Sequence, residues 1–436
     1  MNQQSMQLLV SLLQNHDRLQ DIVVLHINHC MDNSFYFTEQ LLKVFDDAVF
    51  IAVPYNDRPI PKKLNYSAYH ASTEKNGYVI SRDNIKVEYS EGNFLHTVER
   101  MIRLVLENEI SQWLNNGKRL LIIEDGGYHY QILREWLKIH PEWSDRVIGA
   151  VEQTTAGTRA AQLQSAKSIS YPVISVARSS YKTRIEAYFV AERVVEELQR
   201  MLRDINTFIS FHGVLLIGYG VIGRSIAGCL DSHQAKISVY DTDQSICETA
   251  KQDGISLWNG EFCENMIVLG NVGQPSFTSQ MLSSFLKGKS HRIFLASSSS
   301  KQIEFQDIFH LISDAEHIVT EQAEIFRFPN HEKKEIVLLA KGFPLNFYNK
   351  SGDSLTYSMI DPVFSEMLSG AFILCEMYGK LQNKTYLFGS APETGGQNEE
   401  YKLLSEWMKI NGLHIDINEF NRHPNEKLLR NQNDEG

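Results

Sequence analysis

The stretch "VLLIGYGVIGRS", Val214 to Ser225, decides how this chain is interpreted. Its apolar residues are typical of a buried strand, and they run directly into a glycine-rich turn and the start of a helix. In such a turn Gly218 permits the change of direction, Gly220 lets a pyrophosphate approach the backbone, and Gly223 lets the helix pack closely on the strand. The stretch therefore predicts the phosphate-binding turn of a dinucleotide site.

A G-x-G-x-x-G pattern alone is weak evidence, because a glycine turn that binds nothing has the same spacing. Here the helix opens with Val221 and Ile222, whose amide groups would face the phosphate anion. A second predicted strand, "KISVYD", ends at Asp241, eighteen positions after Gly223. A carboxylate at this place accepts hydrogen bonds from the ribose hydroxyls and would repel a 2′-phosphate, so the sequence predicts NAD rather than NADP as the cofactor.

The composition is that of a globular protein with small-molecule partners. A length of 436 residues predicts two or three domains, and 43% hydrophobic with 22% charged residues is ordinary. The net charge of −11 argues against nucleic acid or anionic lipid as a partner. The five cysteines form no C-x-x-C pair, so we expect buried thiols and no metal site. With no signal-peptide pattern and no apolar run of about 18 residues, we expect a cytoplasmic protein without a membrane segment.

Short apolar runs alternate with helical patterns, which predicts an α/β fold with parallel sheets. A long amphipathic helix over residues 182–205 separates two series of runs and is the expected hinge. The first series is 21–28, 47–54, 119–126, 146–153 and 171–178, and the second is "VLLIG", "KISVYD", "NMIVLGN", "RIFLASS" and "EIVLLAKG".

We therefore expect two Rossmann-like parallel-sheet domains, one for substrate and one for NAD, with a cleft between them. The expected boundaries are 1–178 for the first segment of the substrate domain, 179–342 for the NAD-binding domain with its hinge helix, 343–390 for a return segment, and 391–436 for a C-terminal helix and polar tail.

Polar residues collect where the predicted strands of the first half end. The carboxyl ends of parallel strands share one edge of a sheet, and ligands bind beyond it. For any single residue a loop position or a helix cap is the ordinary role, but the shared edge favours a substrate site. The residues are His26, Asn28, His29, Asn56, Asp57, Asp125, Gly126, Gly127, Gln153, Thr154, Thr155, Arg178, Ser179 and Ser180.

Five segments, spread over nearly the whole chain, resemble the S-adenosylhomocysteine hydrolase family. "IEDGGYHY" is similar to the family's aspartate-Gly-Gly turn, and "GAVEQTTAGTRAAQ" to its Glu-Glu-Thr-Thr-Thr-Gly loop. "SSYKTRIEAYFVAERV" resembles its lysine-bearing helix, "LIGYGVIGRSIA" its NAD turn, and "LLAKGFPLNF" its Leu-Leu-Ala-Glu-Gly-Arg-Leu-Val-Asn-Leu segment. In that family NAD stays bound and oxidises the ribose 3′-hydroxyl, after which the 5′ thioether is eliminated, water adds and the ketone is reduced.

The resemblance implies roles for individual residues. His29 and Asp125 fall on the family's catalytic His and Asp, and Lys182 falls on the lysine that deprotonates the 3′-hydroxyl. It also implies substrate-binding positions at Asn56, Gln153, Thr154 and Thr155, and a cofactor-binding position at Asn346.

The chain departs from the family at several positions. Gln153 replaces a sugar-binding Glu, Glu186 replaces an Asp, and Ala187 replaces an Asn. Ser300 and Asp353 stand about where the family has histidines. The family's C-terminal Lys and Tyr, which reach the partner subunit's NAD site, have no counterpart here. The family's tetramer therefore does not carry over as an expectation, and a homo-oligomer of unspecified size is left open.

Three functions remain open at this point. The first is a divergent NAD-dependent enzyme acting on a nucleoside or nucleoside thioether, with Lys182 as the base for hydroxyl oxidation, Glu186 orienting that hydroxyl, and His29 and Asp125 serving the elimination. The second is a non-catalytic protein that binds NAD or a nucleoside as a sensor or partner subunit. The third is an unrelated dehydrogenase with the same two-sheet plan.

Overall fold

The computed structural model describes residues 5–55, 63–74, 77–83, 85–90, 93–165, 170–299, 302–308, 312, 315–348 and 353–413. The chain divides into two compact units. The first unit combines the residues up to Glu186 with those from Lys350 to His414, and the second unit runs from Ala187 to Asn349. The second unit is thus inserted into the sequence of the first.

The first unit is built on a nine-stranded sheet in the order β17-β8-β7-β6-β1-β2-β3-β4-β5. Its strands are β1 (Ile22–His29), β2 (Asp47–Val53), β3 (Ser67–Glu74), β4 (Gly77–Arg82), β5 (Ile85–Ser90), β6 (Arg119–Glu124), β7 (Val147–Glu152), β8 (Val173–Ser175) and β17 (Thr385–Leu387), the numbers β9 to β16 belonging to the second unit.

Seven neighbouring strands of this sheet, from β17 to β3 in the order above, are parallel, and the order of five of them decides where a ligand site can lie. Taken alone, β2-β1-β6-β7-β8 follow the doubly wound order 2-1-3-4-5. The order reverses between β1 and β6, and in such sheets ligands bind beyond the carboxyl ends of the two strands at this switch point. Residues that directly follow β1 and β6 are therefore placed at the expected crevice.

Eight helices flank this sheet among the described residues. They are α1 (Gln7–Gln14), α2 (Asp32–Leu41), α3 (Phe94–Val105), α4 (Ser111–Asn115), α5 (His129–Ile139), α6 (Thr155–Ser165), and, after the second unit, α11 (Tyr357–Glu376) and α12 (Gly396–Ile410).

Helix α11 is long and apolar enough by composition to cross a membrane, with a mean hydropathy of 1.3 over its most apolar window. However, 78% of that window is buried inside the protein, where the helix packs on β7, α1 and α12. Two acids, Asp361 and Glu366, interrupt its apolar sequence and are themselves buried. Its burial is that of a core helix of the first unit.

Two polar contacts tie α11 to distant parts of the first unit. The carboxylate of Asp361 accepts the backbone N–H groups of Leu8 and Leu9 at 2.8 and 2.9 Å and so caps the amino end of α1. Pro362 has no N–H to donate to the carbonyl of Ser358 four residues earlier. The indole N–H of Trp407, in α12, donates to that carbonyl at 2.7 Å instead.

The second unit contains an eight-stranded sheet in the order β11-β10-β9-β12-β13-β16-β15-β14. The first six strands in this order are parallel and follow the arrangement 3-2-1-4-5-6 of dinucleotide-binding folds. The strands are β9 (Gly213–Ile217), β10 (Lys236–Tyr240), β11 (Ser256–Leu257), β12 (Met266–Gly270), β13 (Arg292–Ser297), β14 (Glu316–Val319), β15 (Ala323–Phe328) and β16 (Lys334–Leu339).

Helices cover both faces of this second sheet. They are α7 (Ala187–Asp204), α8 (Val221–Asp231), α9 (Gln244–Gln252) and α10 (Ser279–Lys287). Separate apolar clusters fill the two faces, one containing Leu216 and Leu198 and the other containing Val268 and Phe285. The second unit therefore has a hydrophobic core of its own.

The α/β fold with two mainly parallel Rossmann-like sheets is as the sequence predicts. Three features differ from the prediction. The first sheet gains β4 and β5 as an antiparallel extension, and the second gains β14 and β15 in the same way. The predicted helix over 182–205 begins with a π-helical turn, Lys182–Glu186, and continues as α7. The chain passes from one unit to the other at 186 and 349, where 178 and 342 were expected.

Candidate functional site

His29 and Asp125 meet at the switch point of the first sheet. His29 is the last residue of β1, and Asp125 directly follows β6. The His29 Nε2 atom lies 3.4 Å from Asp125 Oδ1, and the two side chains are only 6% and 4% exposed. The fold thus brings together two of the residues that the sequence predicts as catalytic.

The surroundings of His29 keep its imidazole neutral. Burial lowers the pKa of His29 below 6.5, and the charge of Lys182 lowers it further, while Asp125 acts in the opposite direction. The ring of Tyr55 lies against the imidazole with 4.6 Å between ring centroids. Asp125 faces Nε2 and favours the tautomer protonated there, which leaves Nδ1 as the basic nitrogen. A neutral buried imidazole of this kind can accept a proton at pH 7.

Two buried glutamates, which the sequence interpretation did not include, hold the turn that carries Asp125. Glu124 ends β6 and accepts hydrogen bonds from the backbone and ring of His129. Glu152 ends β7 and accepts the N–H of Gly126 at 3.2 Å. Burial and the charge of Glu124 raise the pKa of Glu152 well above its ordinary value. The signal that could have found them is an acid at the last position of two neighbouring predicted strands.

The two glycines of this turn are required by its geometry. Gly126 and Gly127 have φ angles of +114° and +70°. A β-carbon on Gly126 would lie 2.4 Å from the ring of Tyr128, and one on Gly127 would lie 2.5 Å from the Cα of Gly157. The turn therefore fixes Asp125 between a packed aromatic ring and the start of α6.

Thr154 serves as the cap of helix α6. Its hydroxyl donates to Glu152 Oε1 at 2.8 Å and accepts the N–H of Gly157 at 3.0 Å. Thr155, the first residue of α6, is exposed. Both residues lie at the carboxyl end of β7, but the polar atom of Thr154 is already engaged within the protein.

Gln153 is buried beside the switch point. The Asn28 Nδ2 atom donates to Gln153 Oε1 at 3.4 Å, which joins the ends of β1 and β7 across β6. Asn56 and Asp57, predicted at the end of β2, lie outside the described residues, as does Ser300.

Lys182 and Glu186 form an ion pair within the π-helical turn. The Lys182 Nζ atom lies 2.8 Å from Glu186 Oε2, and the two side chains are 12% and 10% exposed. The Lys182 backbone N–H is held by the hydroxyl of Ser179 at 3.2 Å. Because the charge of Lys182 acts on His29, all four predicted catalytic residues belong to one region of the first unit.

Asp353, at a position where the resemblance expects a histidine, has a structural contact. Its Oδ1 accepts the backbone N–H of Asp32 at 2.8 Å and so caps the amino end of α2. Ala187, which replaces an asparagine, is buried at the start of α7.

The glycine turn of the second unit has the geometry that its pattern predicts. Gly218 has a φ of +90°, and a β-carbon there would lie 2.5 Å from Val272 Cγ1. A β-carbon on Gly223 would lie 2.2 Å from the Gly218 carbonyl oxygen, so helix and strand are in close contact. At Gly220 a β-carbon would meet no described heavy atom within 4 Å. The approach to the turn at Gly220 is therefore open.

Helix α8 begins at this opening. It starts with Val221 and Ile222, and Gly220 occupies its N-cap position without a capping side chain. Its first amide groups are therefore available to an anion. Asp241 follows β10, and its two carboxylate oxygens accept the N–H groups of Tyr219 and Asp243, each at 2.9 Å. Each oxygen keeps a second lone pair for a ribose hydroxyl.

An ion pair between the buried Arg224 and the more exposed Asp253, which sequence reasoning missed, supports the glycine turn. Arg224 binds Asp253 through two hydrogen bonds of 2.7 and 2.8 Å, and the hydroxyl of Tyr219 donates to the same carboxylate at 3.1 Å. Burial and the Asp253 charge raise the pKa of Tyr219. The pair anchors α8 to the end of α9.

Asn346 lies in the turn Leu345–Phe347 that follows β16, and its side chain is buried. The neighbouring Pro344 forms a parallel bridge with Ser297 at the end of β13. Asn346 therefore belongs to the carboxyl edge of the second sheet, as do Gly218 and Asp241.

An open glycine turn, an uncapped helix and a carboxylate at the end of β10 fit the phosphate and ribose of a nicotinamide dinucleotide. Among the described residues, no group of three or more His, Cys, Asp or Glu side chains is arranged to hold a metal ion.

Comparison with known proteins supports a distant relationship to the adenosylhomocysteinases. No protein-family model matches the chain. The chain is 24% identical over 318 residues to the S-inosyl-L-homocysteine hydrolase of Methanothermobacter thermautotrophicus, which covers 71% of this chain and 70% of that protein. It is 26% identical over 309 residues to the adenosylhomocysteinase of Sulfolobus acidocaldarius, which covers 69% of each.

Among solved structures, the pyruvate reductase of Chlamydomonas reinhardtii aligns with a TM-score of 0.41 and 13% identity, over 81% of this chain and 96% of that chain. A TM-score of this size does not establish a common fold, and the fold assignment rests on the strand orders described above.

Proposed function

We propose that this protein is an NAD-dependent enzyme that acts on a nucleoside or nucleoside thioether by transient oxidation of a sugar hydroxyl. The observation that carries the proposal is the buried His29–Asp125 pair at the switch point of the first sheet, in the same region as the Lys182–Glu186 pair. The distant relationship to an adenosylhomocysteinase and an S-inosyl-L-homocysteine hydrolase supports the substrate class.

The second unit would hold the cofactor through residues whose geometry fits it. The turn from Gly218 to Gly223 and the first amides of α8 would bind the pyrophosphate. Asp241 would accept hydrogen bonds from the adenosine ribose, and Asn346 would lie at the same edge. When bound, the nicotinamide ring supplies the hydride acceptor that a sugar-hydroxyl oxidation needs.

The first unit would supply the proton transfers. Lys182 would take the proton of the sugar hydroxyl as the neutral amine, after passing its own proton to Glu186, whose carboxylate lies 2.8 Å away. Neutral His29 would accept a proton from the substrate and return it to the leaving group, while Asp125 stabilises the imidazolium. The buried Asn28 and Gln153 would donate hydrogen bonds to substrate oxygens without adding charge.

A second function is favoured by the residues that replace the family's histidines and glutamate. Gln153 is neutral and bonded to Asn28, and Asp353, which stands where the family has a histidine, caps α2. These positions serve the fold of the first unit whether or not a reaction occurs. A protein that binds NAD or a nucleoside without turnover is therefore the alternative.

The test is to load the purified protein with NAD, add S-adenosylhomocysteine, S-inosylhomocysteine, adenosine and inosine in turn, and record the near-ultraviolet absorbance of reduced nicotinamide. We expect a signal with at least one compound, and its loss in Lys182→Ala. If NAD is bound and none of the compounds produces reduced nicotinamide, the result would support the non-catalytic alternative. We propose the cytoplasm as the compartment, and gel filtration of the loaded protein would test for a homo-oligomer.

A further inference from the structure

A completely buried carboxylate lies at the carboxyl edge of the second sheet. Glu304, in the segment after β13, accepts the backbone N–H groups of Val272 and Gly273 on one oxygen, both at 2.6 Å. The hydroxyl of Ser299 donates to the same oxygen. A β-carbon on Gly270, the last residue of β12, would lie 2.7 Å from the other oxygen, so the strand ends in glycine where the carboxylate is packed.

This carboxylate lies on the nicotinamide side of the proposed dinucleotide site. Strand order reverses between β9 and β12, and a dinucleotide crosses that point with one half on either side. Asp241 follows β10 and fits the adenosine ribose, so the adenosine half belongs to the β10 side. The nicotinamide half then belongs to the carboxyl ends of β12 and β13, which are the two ends that Glu304 joins.

The hydrogen bonds of Glu304 favour its ionised form. Burial raises its pKa, while donors from Ser299, Ser276, Gly273 and Val272 act against that rise. Its Oε2 atom has no hydrogen-bond partner among the described residues, so a proton placed there would find no acceptor. The described residues also give it no ion-pair partner. Among the described residues, the carboxylate of Glu304 is therefore buried at the crevice edge without a cation beside it.

We propose that Glu304 gives the dinucleotide site a preference for the oxidised cofactor. Oxidised nicotinamide carries a positive charge that the reduced ring lacks, and a carboxylate in a low-dielectric site stabilises that charge. Glu304 is thus a positioning residue of the second unit that also selects the redox state of the cofactor. This inference rests on the proposed NAD site and adds to it the reason why the cofactor would be held ready to oxidise.

The test compares the dissociation constants of NAD+ and NADH, measured by calorimetry, for the wild type and four variants. We expect the wild type to bind NAD+ more tightly than NADH, and Glu304→Gln to reduce this ratio on the order of tenfold. Glu304→Met is a second neutral variant in case the amide disturbs folding. Glu304→Asp keeps the charge and should keep most of the preference.

The control variant is Glu264→Gln. It removes the same charge from the second unit, but at the amino end of β12, where the side chain is 50% exposed beside His291. Its NAD+ to NADH ratio should equal that of the wild type. An unchanged ratio in the neutral Glu304 variants, or a wild type that does not prefer NAD+, would overturn the inference while leaving the NAD site intact. Failure of the wild type to bind either cofactor would refute the proposed function and the inference together.

Discussion

Burial and two nearby charges of opposite sign set the pKa of His29. Burial and Lys182 lower its pKa, and Asp125 raises it. Asp125→Asn should therefore lower the pKa of His29 further, which proton NMR of the imidazole can measure. Turnover of any substrate found should fall by roughly 10² to 10⁴, the usual effect of losing a general acid or base. The control is Glu142→Gln, beside the partly exposed His140 at 3.6 Å, which should leave the His29 resonance and turnover as they were.

Gly220 offers a substitution that separates ligand binding from folding. A β-carbon there meets no described heavy atom within 4 Å, and its φ of −68° suits alanine. Gly220→Ala should keep the unfolding temperature and weaken NAD binding, measured by calorimetry, because the methyl group occupies the path of the pyrophosphate. Gly228→Ala, in the same helix with equal space, should gain up to about 1 kcal/mol of stability and bind NAD normally. Equal NAD affinity in the two variants would contradict the role given to the turn.

At the scale of elements, the cap of α1 makes stability depend on pH. Burial raises the pKa of Asp361 from 3.8 to about 6. Between these values the folded state binds more protons than the unfolded state, so the stabilising contribution of this group is complete below pH 4 and is lost as the pH rises through 6. The loss should be on the order of 3 kcal/mol and absent in Asp361→Asn, as measured by urea unfolding at each pH.

Asp243 provides the opposite case as a control. It caps α9 and is exposed, and hydrogen bonds from Ser245 lower its pKa. Its contribution is present above its ordinary pKa and is lost as the pH falls, so Asp243→Asn should change the slope of stability against pH in the other direction from Asp361→Asn. Identical slopes for both variants would rule out the Asp361 assignment.

Helix α11 gives a second prediction, since the Trp407 indole replaces the hydrogen bond that Pro362 cannot make. Trp407→Phe should cost about 1 kcal/mol from the lost hydrogen bond, besides the packing lost with the smaller ring. Pro362→Ala restores an N–H beneath the Ser358 carbonyl, so Trp407→Phe should cost less in that background. Urea unfolding of the four proteins of this cycle measures the coupling, and strict additivity would contradict it.

The elements show which parts of the fold a sequence can predict. The glycine turn and the carboxylate of Asp241 belong to a local sequence pattern, and the structure has both where that pattern predicts them. The partners of Asp361 and Trp407 could not be predicted, because a cap supplied from 353 residues away leaves no local signal. In the sequence, Glu124 and Glu152 are only the last residues of two predicted strands. The folded sheet shows that they hold the turn that contains Asp125. The sequence of the antiparallel strands β14 and β15 has no clear hydrophobic period, so it does not predict these strands.

At the scale of the whole molecule, the insertion of one unit into the other predicts different behaviour for the two parts. A fragment of residues 187–349 contains all eight strands of the second sheet and both of its apolar clusters. It should unfold cooperatively in circular dichroism and bind NAD by itself.

A fragment of residues 1–186 should behave differently. It lacks β17, α11 and α12, which leaves β8 as an open edge and α1 without the Asp361 cap. We expect this fragment to aggregate or to melt without a cooperative transition, and adding residues 350–413 in trans should restore one. A sharp transition in the fragment alone would mean that the returning segment is dispensable.

The same insertion reverses the order of completion during synthesis. When the last strand of the second sheet, Lys334–Leu339, has left the ribosome, the helix that fills the core of the first unit has not yet emerged. The inserted unit can therefore finish folding while the amino-terminal half still exposes apolar surface and the open edge of β8. The time between translation of Ser175 and of Thr385 is the period in which a nascent chain of this protein most needs a chaperone.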